Sequence, residues 1–447
     1  MADLLDTAEL VDRASALVAA ARRAGADAAD AVAVKGGSLS VDVRLGKVEE
    51  SERSEGVDFG LRVFVGGRSA HVSANATTGF DDLAARAVAM ARVAPEDPFA
   101  GLADAAQLAT AWPDLDLLDT HIPVAADLAA RALAAEDAAR AVAGVTNSGG
   151  ASASWSFGGL VLVTSTGFAA GYLGSRHALS VTAVAGQGTE MERDWDSTSK
   201  THLADLPAAA EIGRRAGERA VARLKPAKPA TGTGTVIWEP RAAISLVGHL
   251  AGAVNGAAVA RKSSFLKDRL GERLFPAGVT VVDDPTRPRG LGSRPFDGEG
   301  LAGQPLALIE DGILAAWLLD CAAARELGMT SNGRAGRGTG NPSPSSTNLT
   351  LLAGTVSPAE MIASVKRGLY VTDMIGSGVN GVTGDYSRGA SGFWIENGKL
   401  AGPVSELTVA GNLIDMYARL VPANDLEYRF GINAPSVMVE GLTIAGR

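Results

Sequence analysis

A single cysteine, five histidines and no long apolar run set the first limits on this 447-residue chain. With Cys321 alone, neither an intrachain disulfide nor a cysteine-built zinc cluster can form. Its setting, WLLDCAAARELG, has apolar residues at helical spacing and suits a buried, inert thiol. No segment reaches the roughly eighteen apolar residues that a membrane-spanning helix requires. The opening MADLLDTAELVDRA is acidic and amphipathic, without the positive start and apolar core of a secretory leader. A cytoplasmic location with no membrane partner is therefore expected. Positive charge is in short supply as well: 41 Lys and Arg face 50 Asp and Glu, a net charge of −9. That balance excludes non-specific nucleic-acid binding, which relies on cations neutralising phosphates. The one basic stretch, Arg261, Lys262, Lys267, Arg269 and Arg273, is interleaved with Asp268 and Glu272 and reads as a solvated face. Aromatics make up only 5%, so the core is built largely from small aliphatic side chains.

What is present fits an α+β fold, with an N-terminal region of antiparallel sheet plus helices and a strand-rich C-terminal domain. The length favours more than one core, and divisions are expected at 1–110, 111–230 and 231–447. Residues 8–23 have helical apolar spacing and stop at Gly25. Alternating runs follow, ADAVAV, SLSVDVRLGKVEES, VDFGLRVFV and SAHVSAN, and then the helical TTGFDDLAARAVAMARV, which Thr77 or Thr78 is placed to cap. After a connector at 95–120 come a helix, VAADLAARALAAEDAARAV, further alternating runs, and a helix at about 206–224. KPAKPATGTG, residues 225–234, is the clearest boundary, since its prolines disfavour helix and its glycines permit turns. Beyond it lie the strand TVIWE, a helix carrying His249, and short strands with helices near 315–327, 357–367 and 405–418. SNGRAGRGTGNPSPSS, residues 331–346, has the composition of a mobile loop.

Hydrolytic metal chemistry needs converging ligands and a carboxylate to take a proton from bound water. His249 is the only histidine after His202; Leu250 follows it, and Ala253 and Val254 stand four and five residues on. No zinc site can be assembled there, and a lone histidine suits a packed or capping role. Ser264 and Lys267 have the S-x-x-K spacing that lets lysine activate serine on one helical face, a spacing that is common by chance. Gly376, Gly378 and Gly381 spell G-x-G-x-x-G, but the chain continues in turns and strands where the dinucleotide motif requires a helix. These glycines fit tight turns or a close backbone approach, in a structural loop or a peptide cleft. Asp385 and Arg388 are placed to form a charge-assisted pair in the same loop. The carboxylates of Asp283, Asp284, Asp373, Asp385, Glu396 and Glu406 are scattered over different elements and define no dyad.

Five segments occur in order: RKSSFLKDRLG at 261–271, PFDGEG at 295–300, DGIL with WLLD at 311–320, TGDYSRGASGFWIENG at 383–398 and PVSELTVAGNL at 403–413. Together they resemble the TldD/PmbA family, also called modulators of DNA gyrase, and within it the PmbA (TldE) subunit type. The family's catalytic subunit carries an HExxxH helix, two histidines binding zinc and the glutamate acting as base, with a later cysteine completing the site. On this chain the motif falls on 249–254: His249 at the first ligand, Leu250 for the glutamate and Val254 for the second histidine. The resemblance thus implies a degenerate metal site and no catalytic or metal-binding residue in this chain, with zinc expected in a TldD-like partner. It also implies a heterodimer acting on peptides, with a homodimer possible for the isolated chain. The strand-rich C-terminal half is suited to hold an extended peptide by strand addition. Two other readings stand beside this: an independent hydrolase using Ser264 and Lys267 or the Asp385–Arg388 loop, and a homodimeric peptide-binding scaffold.

Overall fold

The computed structural model describes residues 7–75 and 78–446. The chain opens with α1 (Ala8–Arg23), β1 (Ala28–Arg44), β2 (Lys47–Val65), β3 (Arg68–Asn75) and α2 (Phe80–Val93). It continues with α3 (Ala125–Arg140), β4 (Val145–Thr164), β5 (Ala169–Ala185), β6 (Glu192–Lys200) and α4 (Ala209–Ala222). Gly25 takes φ +101° just past α1, a conformation open to glycine at little cost, and ends the helix as its position suggests. The cap of α2 differs from expectation. Gly79 holds the N-cap position and Thr78 turns its hydroxyl to Asn75, while Thr77 lies outside the described residues.

The six strands form one antiparallel sheet in the order β3-β2-β1-β4-β5-β6. Alternation sorts its two faces. Ala29, Ala31, Ala33 and Val163 meet α1 and α2, and Val41, Ala153, Val181 and Ala183 meet α3 and α4. The opposite face, with Val32, Leu160 and Leu162, receives Phe296 from the C-terminal half. The division expected at 110 is therefore not a division of the sheet, because β1 pairs with β4 from Asp30–Thr164 to Val43–Ala151 across it.

The C-terminal half follows residues 225–231. It contains β7 (Gly232–Trp238), α5 (Pro240–Ala253), α6 (Gly256–Ala260), β8 (Val281–Asp283), β9 (Leu306–Glu310), β10 (Ile313–Leu314), α7 (Cys321–Glu326), β11 (Ala335–Gly336), β12 (Ser343–Pro344) and β13 (Leu349–Leu351). It ends with α8 (Pro358–Ser364), β14 (Arg367–Ile375), β15 (Asp385–Glu396), β16 (Lys399–Asn412), α9 (Leu413–Ala418), β17 (Val421–Pro422), β18 (Ile432–Asn433) and β19 (Val437–Ala445). β16, β15, β14, β7 and β19 are neighbours in turn, and β16 also pairs with β19, so these five strands close into a small barrel. A second sheet, β10-β9-β8-β13-β18, lies beside it, and one apolar core joins the barrel, this sheet and α5.

Three expectations are corrected here. Residues 405–412 belong to β16 and only 413–418 are helical; the helix expected at 315–327 is confined to 321–326. Segment 331–346 is not a loose loop. Arg334 and Arg337 have fully buried side chains, paired to Asp283 and to Asp30 at 2.5 Å each. Barrel closure also leaves the C-terminal sheet little edge for strand addition, since residue 227 bridges to β16 at Val404. A long unpaired edge among the described residues is the Lys47–Val57 part of β2, beyond the reach of β3.

Candidate functional site

α5 starts at Pro240, whose fixed φ suits the first helical position, with Glu239 in extended backbone as N-cap. Ala242, Ala243, Leu246, Val247, Leu250 and Ala253 form its buried stripe. At 100° per residue, His249 lies to the side of that stripe, and Leu250 and Val254 turn into it. The structure places the three degenerate metal-site positions accordingly. Leu250 and Val254 are 1% and 0% exposed in the central core, while His249 is half-buried and lines a cavity of about 520 Å³. His249 sits inside the helix and caps nothing.

The cavity lies between α5 and the barrel wall, with Trp195 of β6 and Ile432 of β18 at its sides. Thr372, Asp373 and Met374 of β14 and Arg388 of β15 complete the wall. β14 bulges here: Val371 pairs with Gly392 and Asp373 with Ser391, so Thr372 is the extra residue. Bulges of this kind re-aim side chains and cluster beside functional sites.

The polar groups around His249 are only partly satisfied. His249 Nε2 and Thr372 Oγ1 are buried without a hydrogen-bond partner among the described residues, whereas the Tyr386 hydroxyl has Trp238 and Arg388 as polar neighbours. Tyr386 meets the His249 ring edge-on at 6.1 Å, behind the cavity wall. Burial, with the Arg388 guanidinium second, pushes the His249 pKa down and favours neutral imidazole. Burial pushes the Tyr386 phenol up to about 12, against the opposing pull of Arg388.

A hydrolytic zinc requires about three protein ligands. His249 is the one donor that α5 presents, and no group of three His, Cys, Asp or Glu side chains among the described residues is arranged to hold a metal. The residues present do not fit a zinc ion at this helix.

Of the other loop residues named from sequence, Gly376 takes φ +79° and its carbonyl accepts a hydrogen bond from Arg388 Nε at 2.8 Å. Gly378 runs against the backbone of Ser387, whose N–H donates to the Gly378 carbonyl at 2.7 Å, and a Cβ would overlap the Ser387 carbonyl. Close approach is thus its role, toward a strand of its own chain, and no helix follows. The Asp385–Arg388 pair does not form. Asp385 accepts from Thr383 at 2.6 Å and Asn412 at 3.3 Å, since residues three apart on a strand point to opposite faces. Ser264 and Lys267 share no helix. The buried Ser264 hydroxyl donates to the Ala253 carbonyl at 2.6 Å and accepts from the Leu266 N–H at 3.0 Å, a structural staple. Thr372 and Tyr386 were missed from sequence, the first because a bulge depends on its neighbour strand.

Fold and site together define an α+β chain with one histidine-bearing helix laid against a closed barrel. Residues 29–91, 121–224 and 231–446 match domain 1, the central domain and the C-terminal domain of the PmbA/TldA metallopeptidases. The chain belongs to this PmbA/TldA metallopeptidase family. It is 37% identical over 433 residues to metalloprotease PmbA of Escherichia coli O157:H7, covering 94% of this chain and 93% of that protein. It is 36% identical over 448 residues to the metalloprotease PmbA homolog of Haemophilus influenzae, covering 98% and 96%. Against the metalloprotease TldD homolog of the same organism the match is 31% over 204 residues, 42% of each chain. The crystal structure of a Bacteroides thetaiotaomicron protein described as a modulator of DNA gyrase superimposes with a TM-score of 0.90 at 27% identity, covering 99% of this chain and 100% of that one. No helix among the described residues is long and apolar enough to cross a membrane.

Proposed function

We propose that this chain is the PmbA-type, non-catalytic subunit of a two-chain metallopeptidase that degrades or processes peptides in the cytoplasm. One observation carries the reading: His249 alone faces the cavity, while the positions of the base and second ligand, Leu250 and Val254, are apolar and buried in the core. Replacing them with Glu and His would leave both polar groups in the core without solvent, at a cost of several kcal/mol. The site is thus opposed to metal binding by packing as well as by ligand count. The near full-length likeness to PmbA proteins, against a partial match to a TldD homolog, supports the same subunit type. A TldD-like chain would supply zinc and base, and this chain would form the other wall of the peptide chamber.

The test is co-expression with the TldD-like chain of the same genome. The expected result is a co-purifying heterodimer that hydrolyses short or unfolded peptides, with zinc held by the partner. This chain alone is expected to hold no stoichiometric zinc and to cleave nothing, whether monomeric or homodimeric. One tightly held zinc per isolated chain, or hydrolysis by it alone, overturns the proposal. Co-purification without any gain of hydrolysis would replace it with a scaffold role.

A further inference from the structure

We infer that the cavity beside α5 is a receptor for a carboxylate borne on an apolar residue, the C-terminus of a short peptide, with Arg388 as its charge partner. The peptide identity rests on the subunit role proposed above; the carboxylate and its apolar carrier rest on the cavity itself.

Three charged side chains line the cavity. Arg241 is neutralised by Asp194 at 2.8 Å and Glu239 at 2.5 Å, and Asp373 lies 3.6 Å from Arg223. Arg388 has no such partner. Its Nε is held by the Gly376 carbonyl, and no carboxylate among the described residues stands within ion-pair distance of it. The lining therefore carries one guanidinium without a carboxylate partner, held at its Nε by the Gly376 carbonyl and with the Tyr386 hydroxyl as a further polar neighbour. A guanidinium in that state recognises a carboxylate with two parallel hydrogen bonds.

The remaining wall sets what carries the anion. Trp195, Ile244, Met374 and Ile432 are apolar, and a free inorganic anion would leave them facing water. At about 520 Å³ the cavity has room for one or two residues, not for a folded chain. Strand geometry places Arg388 two residues from Tyr386, on the same face of β15, so the guanidinium and the His249–Tyr386 wall belong to one surface.

The test is isothermal titration of the purified full chain with N-acetyl-Ala-Ala-Leu and with its C-terminal amide. The acid is expected to bind about tenfold or more tightly than the amide, the scale of one charge-assisted contact. Arg388→Gln should erase that difference with the thermal midpoint unchanged, and Arg388→Lys should retain part of it. Ile432→Trp, which fills the apolar side, should weaken acid and amide together. Equal binding of acid and amide, or no binding of either at millimolar concentration, overturns the inference. So does inorganic phosphate binding as tightly as the peptide acid. The two proposals fail separately. A chain that binds the acid but confers no peptidase activity on its partner keeps the receptor and loses the subunit role. An active heterodimer whose subunit ignores the carboxylate does the reverse.

Discussion

Asp283 and Arg334 meet in the C-terminal core with both side chains fully enclosed, Nε to Oδ2 at 2.5 Å. Both groups are hydrogen-bonded further. Arg334 also donates to the carbonyls of Asn332 at 2.8 Å, Gln304 at 2.5 Å and Asp283 at 3.1 Å. Asp283 accepts from the Thr347 N–H at 2.6 Å and hydroxyl at 2.8 Å. Burial pushes the guanidinium pKa down and Asp283 opposes that push. The pair is held by enclosure, and removing one member strands the other charge. Asp283→Ala is expected to cost about 3–5 kcal/mol in denaturant unfolding, whereas Asp283→Ala with Arg334→Met should cost less than the single change. A double variant that is less stable than the single one would refute this account.

At the scale of elements, segment 331–346 is pinned between the two halves of the chain. Gly60 of β2 lies against the backbone of Thr339, and a Cβ there would overlap the Thr339 carbonyl. Arg337 enters beside it to reach Asp30. Gly60→Ala is therefore expected to push the segment off the sheet, destabilising by about 1–3 kcal/mol as overpacking does. Amide exchange across 331–346 should rise while β4 and β5 stay protected; unchanged exchange in the segment would count against the contact. The sequence announces nothing of this. Its Gly, Ser and Pro content reads as a loop, and the pairing residue lies 307 positions away. Elements whose signal is local were legible: α1, α3, the alternating strands β1 to β6 and the break at 225–234 all stand near their expected places. Residues 405–412 were misread because ELTVAGNL satisfies both helical and alternating spacing, and only pairing with β15 and β19 decides between them. The site was half legible. His249 stood out for the ligands it lacks, whereas the cavity around it is assembled from β6, β14, β15 and β18, whose convergence no local pattern records.

Charge is buried where the N-terminal sheet meets the C-terminal half, and this makes the stability of the whole molecule depend on pH. Asp30 and Arg62 come from the sheet, and Arg337, Glu299, Asp297 and Asp320 from the other side. Burial raises the Asp30 carboxyl, but Arg337 and Arg62 together outweigh it and hold its pKa below the ordinary value. Glu299 has no such support. Arg62 is 3.9 Å away, Oε2 accepts one N–H from Cys321 at 2.7 Å, and Oε1 has no partner. Burial, reinforced by the neighbouring Asp297, pushes Glu299 up to about 7 from 4.5. A carboxyl whose pKa is raised on folding binds its proton more tightly in the native state. Its contribution to stability is complete below about 4.5, falls as pH rises, and is gone once the folded group has ionised near 7. Asp297 and Asp320 are raised in the same direction by burial and would add to the slope. Comparison with Glu299→Gln isolates the one residue, because the amide keeps the shape and cannot ionise. Unfolding free energy measured from pH 4.5 to 8 should fall faster for the native chain than for Glu299→Gln, the gap opening between about 5 and 7 by no more than a few kcal/mol and then levelling. Parallel curves across that range would mean that Glu299 is already ionised and paired with Arg62 at the interface.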